Sequence, residues 1–138
     1  MSRIRDYSVA LIAILLLGSG TGYGRETTCL DPPLPSTKAE LLSPHKAVFS
    51  GKVVKIMLAH VHDVITFEVT QSWKGMDTHT AEMWRGVVAY KGVTFEVGET
   101  YLVFATGEDG DHQIFRIDSC SRSKKLAEAG REMALLGD

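Results

Sequence analysis

The sequence predicts a small, mainly β protein: about five strands closed or partly closed into a barrel, followed by a C-terminal helix. Three observations carry this. Runs rich in β-branched and aromatic residues recur between glycine, proline and aspartate breaks over residues 47–117. One of them, residues 64–74, alternates: Ile65, Phe67 and Val69 face one way, Thr66, Glu68 and Thr70 the other. That is the pattern of a strand with one buried and one wet face. Finally, Leu126, Ala129 or Gly130, Met133 and Leu136 recur at three- and four-residue spacing, which predicts one apolar helical stripe over residues 123–136. Strands in so short a chain leave unpaired edges unless the sheet closes, hence the barrel.

The chain has 138 residues and is 44% hydrophobic, enough for one core and not two. With 15 basic against 17 acidic side chains the net charge is −2, which argues against a nucleic-acid partner, since that affinity rests on clustered Lys and Arg. Two cysteines cannot complete a four-cysteine zinc site or an iron–sulfur cluster. Residues 1–24 read as an export signal: Arg3 and Arg5 precede an apolar run over 9–17, and Gly18, Ser19, Gly20, Thr21 and Gly22 follow. The run is well short of the ~20 residues that span a bilayer, so a secreted or periplasmic product without membrane insertion is expected. The mature chain then divides into an extended, proline-rich segment with a short helix (25–46) and a barrel with its helix (47–138). Outside the cytoplasm Cys29 and Cys120 are most simply read as a disulfide closing a loop of about 90 residues, on the order of 4.6 kcal/mol by chain entropy.

Taken in order, Pro32, Pro33 and Pro35 keep residues 31–36 extended. A short helix is expected over 37–42, capped by Ser36 or Thr37 and ended before Pro44. Residues 47–56 form the first strand, with Gly51 marking a bulge or a close backbone approach. The alternating strand 64–74 follows, then a third near 80–84, with 87–90 extending it or starting another. Residues 96–99 turn into 101–105, apolar on both sides and therefore central. Asp109-Gly110 predicts a tight hairpin returning through 113–117, and Gly137 stops the last helix.

Several words in this order look familiar. They are residues 47–53 (AVFSGKV), residues 64–69 (VITFEV) running into Trp73-Lys74-Gly75, residues 95–105 (FEVGETYLVFA), and Cys120 with Leu126-Ala127-Glu128-Ala129. Over residues 29–136 the chain resembles bacterial secreted proteins similar to the tissue inhibitors of metalloproteinases, whose netrin-type module is a five-stranded Greek-key OB barrel. The resemblance implies that fold, with terminal segments stapled by disulfides, and a non-enzymatic module acting through protein–protein contacts. It also implies an alternative, inhibition of a metalloprotease by the N-terminal segment. Members usually carry Cys-x-Cys near the mature N-terminus and Cys-Gly before the Phe-x-x-Gly-Glu turn. Here those places read Thr27-Thr28-Cys29 and Lys91-Gly92, which implies that one whole disulfide is lost while Cys29–Cys120 remains. Zinc chelation by an N-terminal cysteine needs a cysteine at the chain terminus, and Thr27 does not supply one.

No catalytic residues are expected, because neither a His-Glu-x-x-His, P-loop, Cys-x-x-Cys, dinucleotide nor nucleophile-elbow pattern occurs. No cofactor is expected either. His60 and His62 share a strand face beside Asp63 and are weak candidates for zinc or copper, their ordinary reading being a polar hairpin tip. Residues 108–111 are too few for a calcium loop. A protein partner is expected to meet Thr27, Thr28, Cys29 and Leu30 together with Trp73 and Trp84. These two tryptophans stand at strand ends beside Lys74 and Arg85, as interface anchors often do.

Overall fold

The alternating stretches pair with one another. In the computed structural model, which describes residues 32–86, 93–107, 115–118 and 120–137, β1 (Ala47–Met57) runs antiparallel to β2 (His62–Lys74). β2 in turn runs antiparallel to β3 (Thr80–Gly86). β4 (Thr100–Gly107) pairs antiparallel with β1, and β5 (Phe115–Ile117) lies antiparallel to β4 and parallel to β3. The order β1-β2-β3-β5-β4, with β4 returning to β1, closes a five-stranded mixed barrel of the OB type. The expected leader, the strand candidate at 87–90 and the Asp109-Gly110 hairpin lie outside the described residues.

Two cores follow from the period of two. Ala47, Phe49, Val53, Ile65, Phe67, Met83, Tyr101 and Val103 fill the barrel and are buried. The opposite side of β1 and β4 gives Val48, Leu102 and Phe104 to a second cluster with Leu41, Ala129 and Leu136. That is why residues 101–105 are apolar on both sides: one face looks into the barrel and the other lies under the two helices. Gly51 sits at a register shift between β1 and β2, and a side chain there would stand 3.1 Å from both the Glu68 carbonyl and Phe67 Cβ. The bulge and the close approach are both present. Helix α1 (Lys38–Leu42) is capped by Thr37, whose Oγ1 accepts from the Glu40 amide at 3.2 Å, while Glu40 Oε2 accepts from the Ser36 amide at 3.2 Å.

The C-terminal helix needs correction. Instead of one helix over 123–136, the chain forms β6 (Lys124–Lys125), a 3-10 turn (Leu126–Glu128) and α2 (Gly130–Leu136). The reason is the second edge of β4. β6 pairs with Tyr101 and Leu102, β5 pairs with Thr106 and Gly107, and the groups of Phe104 between them would be orphaned. Serine side chains take the place of a strand there. Ser123 Oγ accepts from the Phe104 amide at 2.8 Å, and Ser121 Oγ donates to the Phe104 carbonyl at 2.9 Å. Ser123 therefore belongs to the edge of β4, and the last helix begins only after Ala129. The apolar stripe survives the shortening: Ala129 and Leu136 are buried and Leu126 and Met133 pack against them.

Candidate binding surface

The barrel end at the β1–β2 hairpin is the most apolar exposed part of the described surface. Met57 ends β1, Leu58 and Val61 lie in the connection, and they are 50%, 78% and 75% exposed. The register carries this patch across the sheet, because Met57 stands opposite Val64 and Val64 opposite Trp84. Alternation puts all three on the outer face. His62 lies flat on the Trp84 ring, with centroids 3.9 Å apart and planes 14° from parallel. Arg116 follows beside Trp84 on β5, and it and Lys55 are exposed at the border. Single exposed aliphatics are ordinary on proteins; a contiguous group around an aromatic is not.

Underneath, the neighbouring position points inward. Asp63 is buried and accepts from Arg85 Nη2 at 2.8 Å, while the same guanidinium lies over the Phe95 ring at 5.7 Å. This pair braces the barrel end beneath the patch and keeps the Asp63 carboxylate away from exposed His60 and from His62, whose ring lies on Trp84. Among the described residues no group of three or more His, Cys, Asp or Glu side chains could hold a metal ion. Nor is any described helix long and apolar enough to cross a membrane.

Trp73 and Trp84 are not brought together. Trp84 stands near the start of β2 and Trp73 near its end, about 30 Å of strand apart. Trp73 packs on the helix-covered cluster and donates its indole N–H to the Gly137 carbonyl at 3.1 Å. It serves the fold. Thr27, Thr28, Cys29 and Leu30 lie outside the described residues. The nearest described part of their segment is tied down by Arg122, which donates to the carbonyls of Pro32 at 3.4 Å and Pro33 at 3.2 Å. Beside this strap is a cleft of about 260 Å³ lined by Pro32, Pro44, His45, Phe104, Asp118 and Arg122, among others. Cys120, also in its wall, carries no free thiol.

Sequence reasoning missed two features. The run Ile56-Met57-Leu58-Ala59 carries apolar residues into a turn, where polar ones are expected, and that was the available signal for the patch. His45 gave no local signal. Its ring sits against Phe104 with centroids 4.9 Å apart, and its Nδ1 is buried without a hydrogen-bond partner. Burial holds this imidazole below the ordinary histidine range, the charges of Arg122 and Lys74 add to that, and Asp118 opposes it. No protein-family model matches the sequence, and no curated protein matches it.

Proposed function

We propose that the protein is an exported, non-enzymatic binding module whose OB-type barrel docks a protein partner at the β1–β2 end. The observation that carries this reading is the contiguous outer patch of Met57, Leu58, Val61, Val64 and Trp84. Apolar area of this kind gains free energy when covered, and the half-buried Trp84 at its edge is of the residue type most often found to dominate an interface. Lys55, exposed at its border, suits a partner with a carboxylate beside an apolar contact. Cleavage of the leader and a Cys29–Cys120 bridge complete the reading, in keeping with the resemblance to netrin-type modules. Trp73, committed to the helix-covered cluster and to Gly137, has no part in this contact.

A photo-crosslinking residue in place of Leu58, introduced in the producing cell, tests it. One discrete adduct is expected there and none from Glu128, an exposed position on the 3-10 turn. With the adduct identified and purified, Val61→Asp is expected to weaken the complex about 10-fold or more. An adduct pattern identical at both positions, or an affinity unchanged by Val61→Asp, removes the proposal. Intact-mass and N-terminal analysis of the exported protein tests the rest: a retained leader or two free thiols contradicts it.

A further inference from the structure

One edge of β1 loses its neighbour partway along the strand. β2 covers β1 to its end, but β4 pairs with the other side only from Ala47 to Lys52. Val53 then gives both backbone groups to the turn before β4: its N–H donates to the Glu99 carbonyl at 2.9 Å, and its carbonyl accepts from the Gly98 N–H at 2.8 Å. From Val54 to Met57 this edge has no strand or turn beside it among the described residues. Given a partner docked at this end of the barrel, as proposed above, we infer that it brings an extended segment of alternating apolar and acidic residues, which adds to the open edge of β1 as a further strand.

The register fixes which backbone groups stand on that edge. The Val69 amide donates to the His79 carbonyl, so at Val69 β2 turns its backbone toward β3. With a period of two it does so again at Phe67 and Ile65. Ile56 lies opposite Ile65, so β2 offers it no bond, and its N–H and carbonyl point out of the open edge. Exposed apolar side chains lie on either side of it along the chain: Val54, the extra residue of a bulge, before it, and Met57 and Leu58 after it. Exposed Val97 belongs to the turn that holds Val53, where the edge begins. A strand added here gains two backbone hydrogen bonds at Ile56 and covers these side chains, which is how sheet edges take up extended peptides.

Charge decides between occupants. Lys52 and Lys55 are both exposed on this stretch. Lys52 stands opposite Glu68, whereas Lys55 stands opposite Thr66 and has no ionic partner among the described residues. A second copy pairing antiparallel about Ile56 sets the two Lys55 residues diagonally across from each other, about 7–8 Å apart. An edge lysine next to a bulge is a common means of discouraging such self-pairing. A segment with a carboxylate facing Lys55 meets attraction instead, and the same lysine then selects the partner.

The partner captured at Leu58, once purified, is the probe. Residue-resolved amide exchange by nuclear magnetic resonance is expected to slow about 10-fold or more at Ile56 when that partner saturates the protein. Sequencing of the adduct by mass spectrometry is expected to place it in a segment with Asp or Glu between apolar residues. Lys55→Glu is expected to weaken the complex about 10-fold, and more than Lys55→Ala does. A complex in which Ile56 exchanges as fast as before, a captured segment without carboxylates, or an affinity indifferent to Lys55→Glu overturns the added strand and leaves the docking patch standing. An Ile56 amide already protected in the free protein, with a dimer in analytical ultracentrifugation, gives the edge to a second copy and overturns it as well. Absence of a discrete adduct at Leu58 removes the docking patch and the added strand together.

Discussion

Gly75 shows how much one position can demand. Its φ is +76°, and a Cβ there would lie 2.1 Å from the Lys46 carbonyl oxygen, a backbone atom that cannot step aside. Gly75→Ala is therefore expected to cost about 2–3 kcal/mol and to lower Tm by roughly 10 °C or more. Gly98 is the control, because its φ of +92° imposes the strain while nothing lies within 4 Å of its Cβ position. Gly98→Ala should cost about 1 kcal/mol, and calorimetry giving both variants the same loss would show that the contact with Lys46 is unimportant. Ser123 makes a second demand of this sort. Its hydroxyl is the acceptor for the buried Phe104 amide, so Ser123→Ala leaves that N–H unpaired at a cost of about 1–3 kcal/mol by urea titration. Tyr101 is used similarly. Its hydroxyl accepts from the Glu96 amide at 2.8 Å and donates to the Thr94 carbonyl at 3.2 Å, pinning the approach to β4, and burial pushes its pKa up.

At the scale of elements, α2 has seven residues, too few to hold a helix by its own hydrogen bonds. Its anchors are Leu136 and Ala129 in the covered cluster, the Trp73 bond to Gly137, and the Lys124–Glu132 pair at 2.8 Å. Leu136→Ala is expected to destabilise the protein by about 2–4 kcal/mol, with hydrogen-exchange protection falling first over residues 130–137. Unchanged protection there would mean that the other anchors suffice. The same helix shows what the sequence made legible and what it did not. Its apolar spacing depends on which side chains face the barrel, so Leu126, Met133 and Leu136 announced themselves. Its start depends on the unpaired edge of β4, some twenty residues earlier, and no local pattern at Ser123 reports that edge. β2 and β4 were readable because alternation, or its absence, states directly how many faces are covered. The sequence ends β3 at 84 because Arg85 reads as a polar strand end, whereas pairing with buried Asp63 across the ladder makes it a half-buried member of the strand. The candidate patch was only half legible for a related reason: His60 and His62 mark a tip, but which of its residues stand outward beside Trp84 follows from the register of three strands.

For the whole molecule, two buried titratable groups predict how stability depends on pH, and both act in the same direction. Burial pushes the Glu132 carboxyl up. The hydrogen bond from Lys124, its own backbone N–H and the charges of Lys124 and Arg122 outweigh that, so it ends below its ordinary value of 4.5. His45 ends below 6.5 because burial, Arg122 and Lys74 all disfavour its charged form. In each case the unfolded chain binds a proton more readily than the folded one, so stability falls as pH falls. The histidine contribution is whole above 6.5 and drains between that value and the lower folded one. The carboxylate contribution is whole above 4.5 and drains below it. Urea unfolding at a series of pH values should thus show two separate declines, with a plateau near neutrality. His45→Phe should remove the upper decline and leave the lower; Glu132→Gln should do the reverse, from a lower plateau, because Lys124 loses its partner. The two effects meet in Arg122, which touches the strap at Pro32 and Pro33 and lies near Glu132. Neutralising Glu132 frees the guanidinium to stay on the strap, so in Glu132→Gln the histidine-dependent decline should move to lower pH, and an unmoved midpoint would show that the two ends of the chain titrate without reference to each other.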